Sequence, residues 1–144
     1  MKKFADTPNA EKILNDNRLK KTAAGLRVLA ILASCKNTAV TLPWLVKKTK
    51  GLNRATLYGV LRRLEMKKII YKVFDVDGTP HYALYPADLS GRDPEVFLHF
   101  YCSQCRKVYR LPAPDFIAAP FPGEFKTARY MFLMNGICRS CNTI

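Results

Sequence analysis

The stretch NRATLYGVLRRLEMKKIIYKVFDVDGTPHYALY, residues 53–85, decides the fold. Asn53 can cap a helix, and Leu57, Val60, Leu61 and Leu64 then recur at i, i+3, i+4 and i+7, one apolar stripe of helical period. Ile69–Phe74 and His81–Tyr85 are runs of β-branched and aromatic residues separated by Asp75-Val76-Asp77-Gly78, which has the composition of a tight turn. Just upstream, Thr41 is an N-cap and Pro43 suits the first turn of a helix running through Trp44, Leu45 and Val46 to Thr49, with Gly51 ending it. Two helices joined by a short glycine-containing turn and followed by a hairpin predict a winged helix-turn-helix.

Outward from this core, residues 22–35 (TAAGLRVLAILASC) are nearly all apolar and predict a buried central helix. Residues 9–20 predict a shorter, mostly polar one. Asn37 and Thr38 break the pattern between the central helix and Thr41. On the other side, PADLSGRDPE (86–95) has the composition of a linker. Beyond it Val96–Tyr101, Lys107–Leu111 and Lys126–Met134 predict three strands around two cysteine turns. The expected architecture is α+β: a winged helix-turn-helix domain over 1–85, a linker over 86–95, and a small antiparallel-sheet domain over 96–144.

Four of the five cysteines form two Cys-x-x-Cys pairs, Cys102/Cys105 and Cys138/Cys141. Each pair offers two thiolates from one turn, and two such turns make a tetrahedral four-sulfur cage for one structural Zn²⁺. Two disulfides, or four unrelated thiols, are the competing readings; the paired spacing argues against scattered thiols. A C-terminal domain of about 50 residues is too small to be safely stable on its apolar core, so a zinc staple has a physical purpose. Cys35 lies in an apolar run and reads as core. No N-terminal stretch resembles a signal peptide and no apolar run approaches a membrane span, so a reducing, cytoplasmic compartment is expected, where paired cysteines hold metal.

The net charge of +13 is segregated. Residues 1–72 carry 17 Lys and Arg against 4 Asp and Glu, whereas residues 73–144 carry 7 of each. A solvated basic surface would keep the chain soluble, but it has no reason to segregate. A polyanion partner does, and double-stranded DNA is the first choice. An anionic membrane ranks lower, since neither terminus carries a basic amphipathic helix with a strong apolar face.

Opposite the apolar stripe, the second helix of the pair presents Ala55, Tyr58, Gly59, Arg62 and Met66, with Arg63 on the flank. Arg62 can reach phosphate or bind guanine bidentately. Tyr58 can contact a thymine methyl or a phosphate. Arg54 and Thr56 lie in the first turn, where backbone N–H groups favour phosphate. The plain alternative is a solvated face, and for Arg63 it suffices. Gly59 weighs against it, because mid-helix glycine costs about 1 kcal/mol relative to alanine.

This order of parts resembles the ferric uptake regulator (Fur) family of bacterial repressors over about residues 20–141. RATLYGVLRRLEMKKIIYKV is similar to the family's recognition helix running into the wing, and DGTPHYAL to the wing return. HFYCSQCRKVYRL and YMFLMNGICRSC resemble the strands carrying the two cysteine pairs. The resemblance implies a homodimer formed through the C-terminal sheet, binding a palindromic operator as a repressor.

Three departures are informative. The positions where the family places hinge metal ligands are here Ala39, Ala83, Val96, Phe97, Leu98 and Tyr130, and only His99 remains. The chain has two histidines, His81 and His99, and one imidazole cannot build a sensory metal site; the expectation is a structural histidine in an apolar hinge. Gly59 stands where the family usually has arginine. PAPDFIAAPFPG (112–123), with four prolines, replaces the helix between the last two strands, which leaves the dimer interface open to alteration.

A second hypothesis is a scaffold: a winged-helix and zinc-ribbon nucleic-acid-interaction or basal transcription factor with no need of a palindrome. A thiol redox enzyme would place Cys-x-x-Cys at a helix start in a βαβ unit, and both pairs here follow strands. No Ser/His/Asp set, carboxylate pair or phosphate-cradling loop supports another catalytic class, and no small-molecule substrate is identified.

Overall fold

The computed structural model describes residues 10–86, 95–112 and 124–143. Most of the linker and of the proline-rich segment fall outside them. Among the described residues the N-terminal half holds four helices: α1 (Ala10–Asp16), α2 (Ala23–Ser34), α3 (Leu42–Lys48) and α4 (Arg54–Met66). The expected caps are in place. The Thr41 hydroxyl accepts from the Trp44 N–H at 3.3 Å and the Asn53 side-chain oxygen from the Thr56 N–H at 2.8 Å. Thr22 does the same for α2 through the Gly25 N–H. Each cap satisfies a backbone donor that the helix itself leaves unpaired, contributing about 1 kcal/mol.

The apolar stripe of α4 is buried as its period predicts. Leu57, Val60, Leu61 and Leu64 pack with Val28, Leu29 and Leu32 of α2 and with Leu45 of α3. Ile70, at the start of the wing, closes this core.

The wing is strands β2 (Ile70–Phe74) and β3 (Pro80–Leu84), antiparallel from Ile70↔Leu84 to Phe74↔Pro80. The Asp75 carboxylate organises its turn, accepting from the N–H groups of Asp77 and Thr79 and meeting His81 Nε2 at 2.9 Å. Gly78 has φ +83°, a left-handed conformation that glycine adopts at little cost.

Three further strands follow: β4 (Glu95–Cys102), β5 (Val108–Leu111) and β6 (Arg129–Gly136). In the expected antiparallel C-terminal sheet, β4 and β5 do pair antiparallel, but β6 runs parallel to β4, from Glu95↔Arg129 to Cys102↔Gly136. The antiparallel description is therefore corrected to a mixed sheet. The reason is geometric: each cysteine pair follows the C-terminal end of its strand, and only parallel strands bring both ends to the same side.

A short strand that the sequence does not announce, Thr38–Thr41, joins the two halves. It precedes α3, and Asn37, at φ +54°, turns the chain into it. It pairs antiparallel with β3 through Val40↔Tyr82 and with β5 through Thr38↔Tyr109 and Ala39↔Val108. Labelled β1 for its place in the chain, it completes a six-stranded sheet ordered β2-β3-β1-β5-β4-β6. A second core lies on this junction: Ala39, Tyr71, Val73, Ala83, Phe97, Tyr101 and Val108. No helix among the described residues is long and apolar enough to cross a membrane.

Candidate metal centre and nucleic-acid interface

The turn after β4 and the turn after β6 meet at one end of the sheet. All four sulfurs of Cys102, Cys105, Cys138 and Cys141 lie within 4.8 Å of one another, and Cys105 Sγ is 3.8 Å from Cys138 Sγ. A tetrahedron with Zn–S bonds of about 2.3 Å has edges of about 3.8 Å. The turns are tied together by the Ser103 N–H, which donates to the Gly136 carbonyl at 2.8 Å. Arg106, at φ +65°, reverses the chain after Cys105 while its N–H donates to the Cys102 carbonyl.

The surroundings are built for thiolates. Cys102 Sγ, fully buried, accepts from the N–H groups of Cys105 and Cys138, each at 3.4 Å. The Cys105 N–H first, helped by that of Cys138, lowers the Cys102 pKa to about 6 against the opposing effect of burial. Cys138 is also lowered, chiefly by the Tyr109 hydroxyl, which donates to its sulfur at 3.4 Å. Burial and the neighbouring sulfurs push Cys141 up to about 12. The donors thus favour thiolates at Cys102 and Cys138 while burial and the crowded sulfurs oppose one at Cys141, and a divalent cation at the centre would offset that opposition. All five cysteines are free thiols. The donor set, spacing and hydrogen-bonded sulfurs fit one structural Zn²⁺.

The second candidate surface is the outer face of α4. Arg54, Ala55, Thr56, Tyr58, Arg62 and Met66 are exposed there, so Arg54, Thr56, Tyr58 and Arg62 lie together on one accessible helix. Gly59 is informative for what surrounds it. A Cβ built there would meet only Arg63 Nη1, at 3.5 Å, an ordinary contact. The fold does not require glycine at this position.

Sequence reasoning missed two wing residues beside this face. Lys72 and Tyr82 are register partners on β2 and β3. With Tyr58, Arg62 and Glu65 they line a recess of about 410 Å³ between helix and wing. Their strand period was legible, but only the packing of the hairpin on α4 aims them at it.

At the junction, Ala39, Ala83 and Phe97 come together in the second core. Val96 and Leu98 are buried but outside that cluster, and Tyr130 is half-buried against Phe132, with ring centroids 6.3 Å apart. His99 is fully buried, its Nε2 2.7 Å from the Tyr71 hydroxyl and its Nδ1 without a hydrogen-bond partner. His81 is buried likewise and held by Asp75. Among the described residues the four cysteines are the one cluster of three or more His, Cys, Asp or Glu able to hold a metal.

The sequence matches no family model and no curated protein. Solved structures match over nearly the whole chain. A zinc-bound manganese uptake regulator superposes with a TM-score of 0.66 at 18% identity, covering 90% of this chain and 98% of its own. A zinc uptake regulator complexed with zinc and DNA gives 0.65 at 22%, covering 98% and 95%. The Vibrio cholerae ferric uptake regulator gives 0.62 at 17%, covering 89% and 98%. The fold is that of the ferric uptake regulators. The Fur fold thus includes both the winged helix and the cysteine-bearing sheet of this chain.

Proposed function

We propose that the chain is a Fur-like, sequence-specific DNA-binding transcriptional regulator, acting as a homodimeric repressor without catalytic activity, with one structural zinc and no regulatory metal site. The observation that carries this reading is the exposed face of α4, bearing Tyr58 and Arg62 on the half of the chain that holds the entire charge excess. A zinc uptake regulator of the same fold is solved with zinc and DNA, which supports a DNA partner for this surface. The division into a DNA-binding unit over 1–85, a linker over 86–95 and a dimerisation unit over 96–144 belongs to the same proposal.

Homodimerisation is supported by β6. It ends the sheet order, and Met131 and Met134 are exposed along it, with Ile137 just beyond. A strand at the end of the described sheet with exposed apolar side chains favours a second copy over water. Absence of a sensory metal site is supported by the hinge, where Ala39, Ala83 and Phe97 pack with Tyr71 and offer no ligand set.

Sequencing of genomic DNA retained by the purified, zinc-loaded protein, paired with mass determination in solution, tests the proposal. A dimer enriching a palindromic site is the expected result. A monomer retaining DNA without sequence preference would favour the winged-helix and zinc-ribbon scaffold.

A further inference from the structure

The wing is a poor phosphate binder at its tip. From Ile69 to Pro86 the sequence holds a single Lys or Arg, Lys72, while the turn carries Asp75 and Asp77. The exposed side chains around that turn include Phe74 and Val76. Asp77 is also exposed, and a carboxylate there repels a phosphate backbone.

Lys72 points elsewhere. Its Nζ lies 3.7 Å from Glu65 Oε1 on α4 and 5.9 Å from the centre of the Tyr82 ring. It therefore stands over the recess, facing the helix that carries Tyr58 and Arg62. The recess is about 410 Å³ in volume, with Leu42 and Leu61 among its lining residues and Tyr58, Arg62, Lys72 and Tyr82 placing polar atoms around it. Glu65 is the one acid of α4. It follows Arg62 by one turn, so it lies on the edge of the DNA-facing surface, where an unpaired carboxylate would oppose phosphate.

We propose that this recess is a backbone-phosphate subsite: the wing contacts DNA at its base, through Lys72 and the Tyr82 hydroxyl alongside Arg62, and not at its tip. Glu65 holds Lys72 in the free protein, and the lysine exchanges this carboxylate for a DNA phosphate on binding. The partly exposed Lys72–Glu65 pair is worth little by itself, so the exchange costs little. The inference rests on the proposed DNA-binding function.

The test measures affinity of the zinc-loaded full chain for its enriched DNA as a function of salt, for wild type, Lys72→Ala, Tyr82→Phe and Glu65→Gln. Each phosphate contact contributes about 0.9 to the slope of log affinity against log salt. Lys72→Ala should therefore lower the slope by about 0.9 per protomer and weaken binding to all sequences alike. Tyr82→Phe should weaken binding severalfold, and Glu65→Gln should strengthen it severalfold. Thermal melts should be close to wild type for all three. An unchanged salt slope in Lys72→Ala and unchanged affinity in Glu65→Gln, in a protein that still binds DNA, would overturn the subsite alone. A wild-type protein that retains no DNA would overturn the function on which it rests.

Discussion

Tyr71 on the wing and His99 on β4 share a hydrogen bond of 2.7 Å across the junction between the two halves of the chain. Both side chains are buried, and their rings lie 5.5 Å apart beside Phe97. Burial, helped by the positive charge of Arg110, lowers the His99 pKa from 6.5 to about 4. The imidazole is accordingly neutral at pH 7.

This shift makes a pH prediction with a definite sign. Between pH 6.5 and about 4 the unfolded chain binds a proton at His99 that the folded chain refuses. Stability from this site is complete above pH 6.5 and is lost progressively as pH falls towards 4, by up to about 3 kcal/mol. His99→Gln removes the titration. Denaturant melts across this range should show a steeper acid loss for wild type than for the variant, and parallel curves would disprove the assignment. The comparison cancels acid loss from the cysteines and from Asp75. At Asp75 burial acts upward on the pKa, but the hydrogen bonds from His81 and the turn N–H groups outweigh it and leave the pKa lowered.

Zinc removal should separate the two cores. The first core around α2 and α4 includes none of the cysteine ligands, whereas Cys102 ends the β4–β6 pairing opposite Gly136 and Cys138 lies buried just beyond it. Purified protein should contain one zinc per chain by elemental analysis under reducing conditions. Cys102→Ser or Cys138→Ser should unfold the C-terminal sheet and yield monomers by sedimentation, because loss of a structural metal is loss of folding free energy. Metal-free wild-type protein of unchanged fold and mass would refute a structural role.

How far the sequence carried the fold depends on which signals were local. The α4 stripe, the caps at Thr41 and Asn53, and the turn at Asp75–Gly78 are local patterns, and the structure has each of them. Strand β1 was not legible, since four residues after Asn37, the last of them itself the helix cap Thr41, carry too short a pattern. The parallel β4–β6 pairing was legible in principle: both cysteine pairs follow their strands, and a common cage requires both strand ends on one side. His99 could be read as structural from its isolation, but its partner Tyr71 lies 28 residues away on another strand. Lys72 and Tyr82 were missed for the same reason, as their relation to α4 is tertiary.

Gly59→Ala separates folding from binding. The position lies mid-helix, and an added Cβ meets nothing closer than a flexible arginine end. Alanine should therefore stabilise the protein by about 0.5–1 kcal/mol, seen as a higher denaturation midpoint. If the glycine admits close approach of DNA, the same change should lower operator affinity. A variant both more stable and equal in affinity would leave the glycine without a binding role.

The last prediction concerns metal response. A hinge metal that sets the spacing of two winged helices needs ligands from both sides of the hinge, and differential affinity for its states. Here the two sides meet through Ala39, Ala83, Phe97 and Tyr71, and through the pairing of β1 with β5. The imidazole at the junction is already hydrogen-bonded to Tyr71. Outside this core, the Glu95 carboxylate is engaged by Arg129 at 3.1 Å and by the Tyr85 hydroxyl. Packing, strand pairing and this ion pair join the two sides through the chain's own groups, and under the proposed function the hinge needs no cation. Zinc-loaded dimer should thus bind its operator equally well with or without micromolar Fe²⁺, Mn²⁺ or additional Zn²⁺. A tenfold rise in affinity with any of them, about 1.4 kcal/mol of coupling, would require a second metal site. Phe97→Ala provides the converse test: opening the packed hinge should cost about 3–5 kcal/mol of stability. It should also weaken operator binding more than a substitution of equal cost in the first core, such as Leu29→Ala.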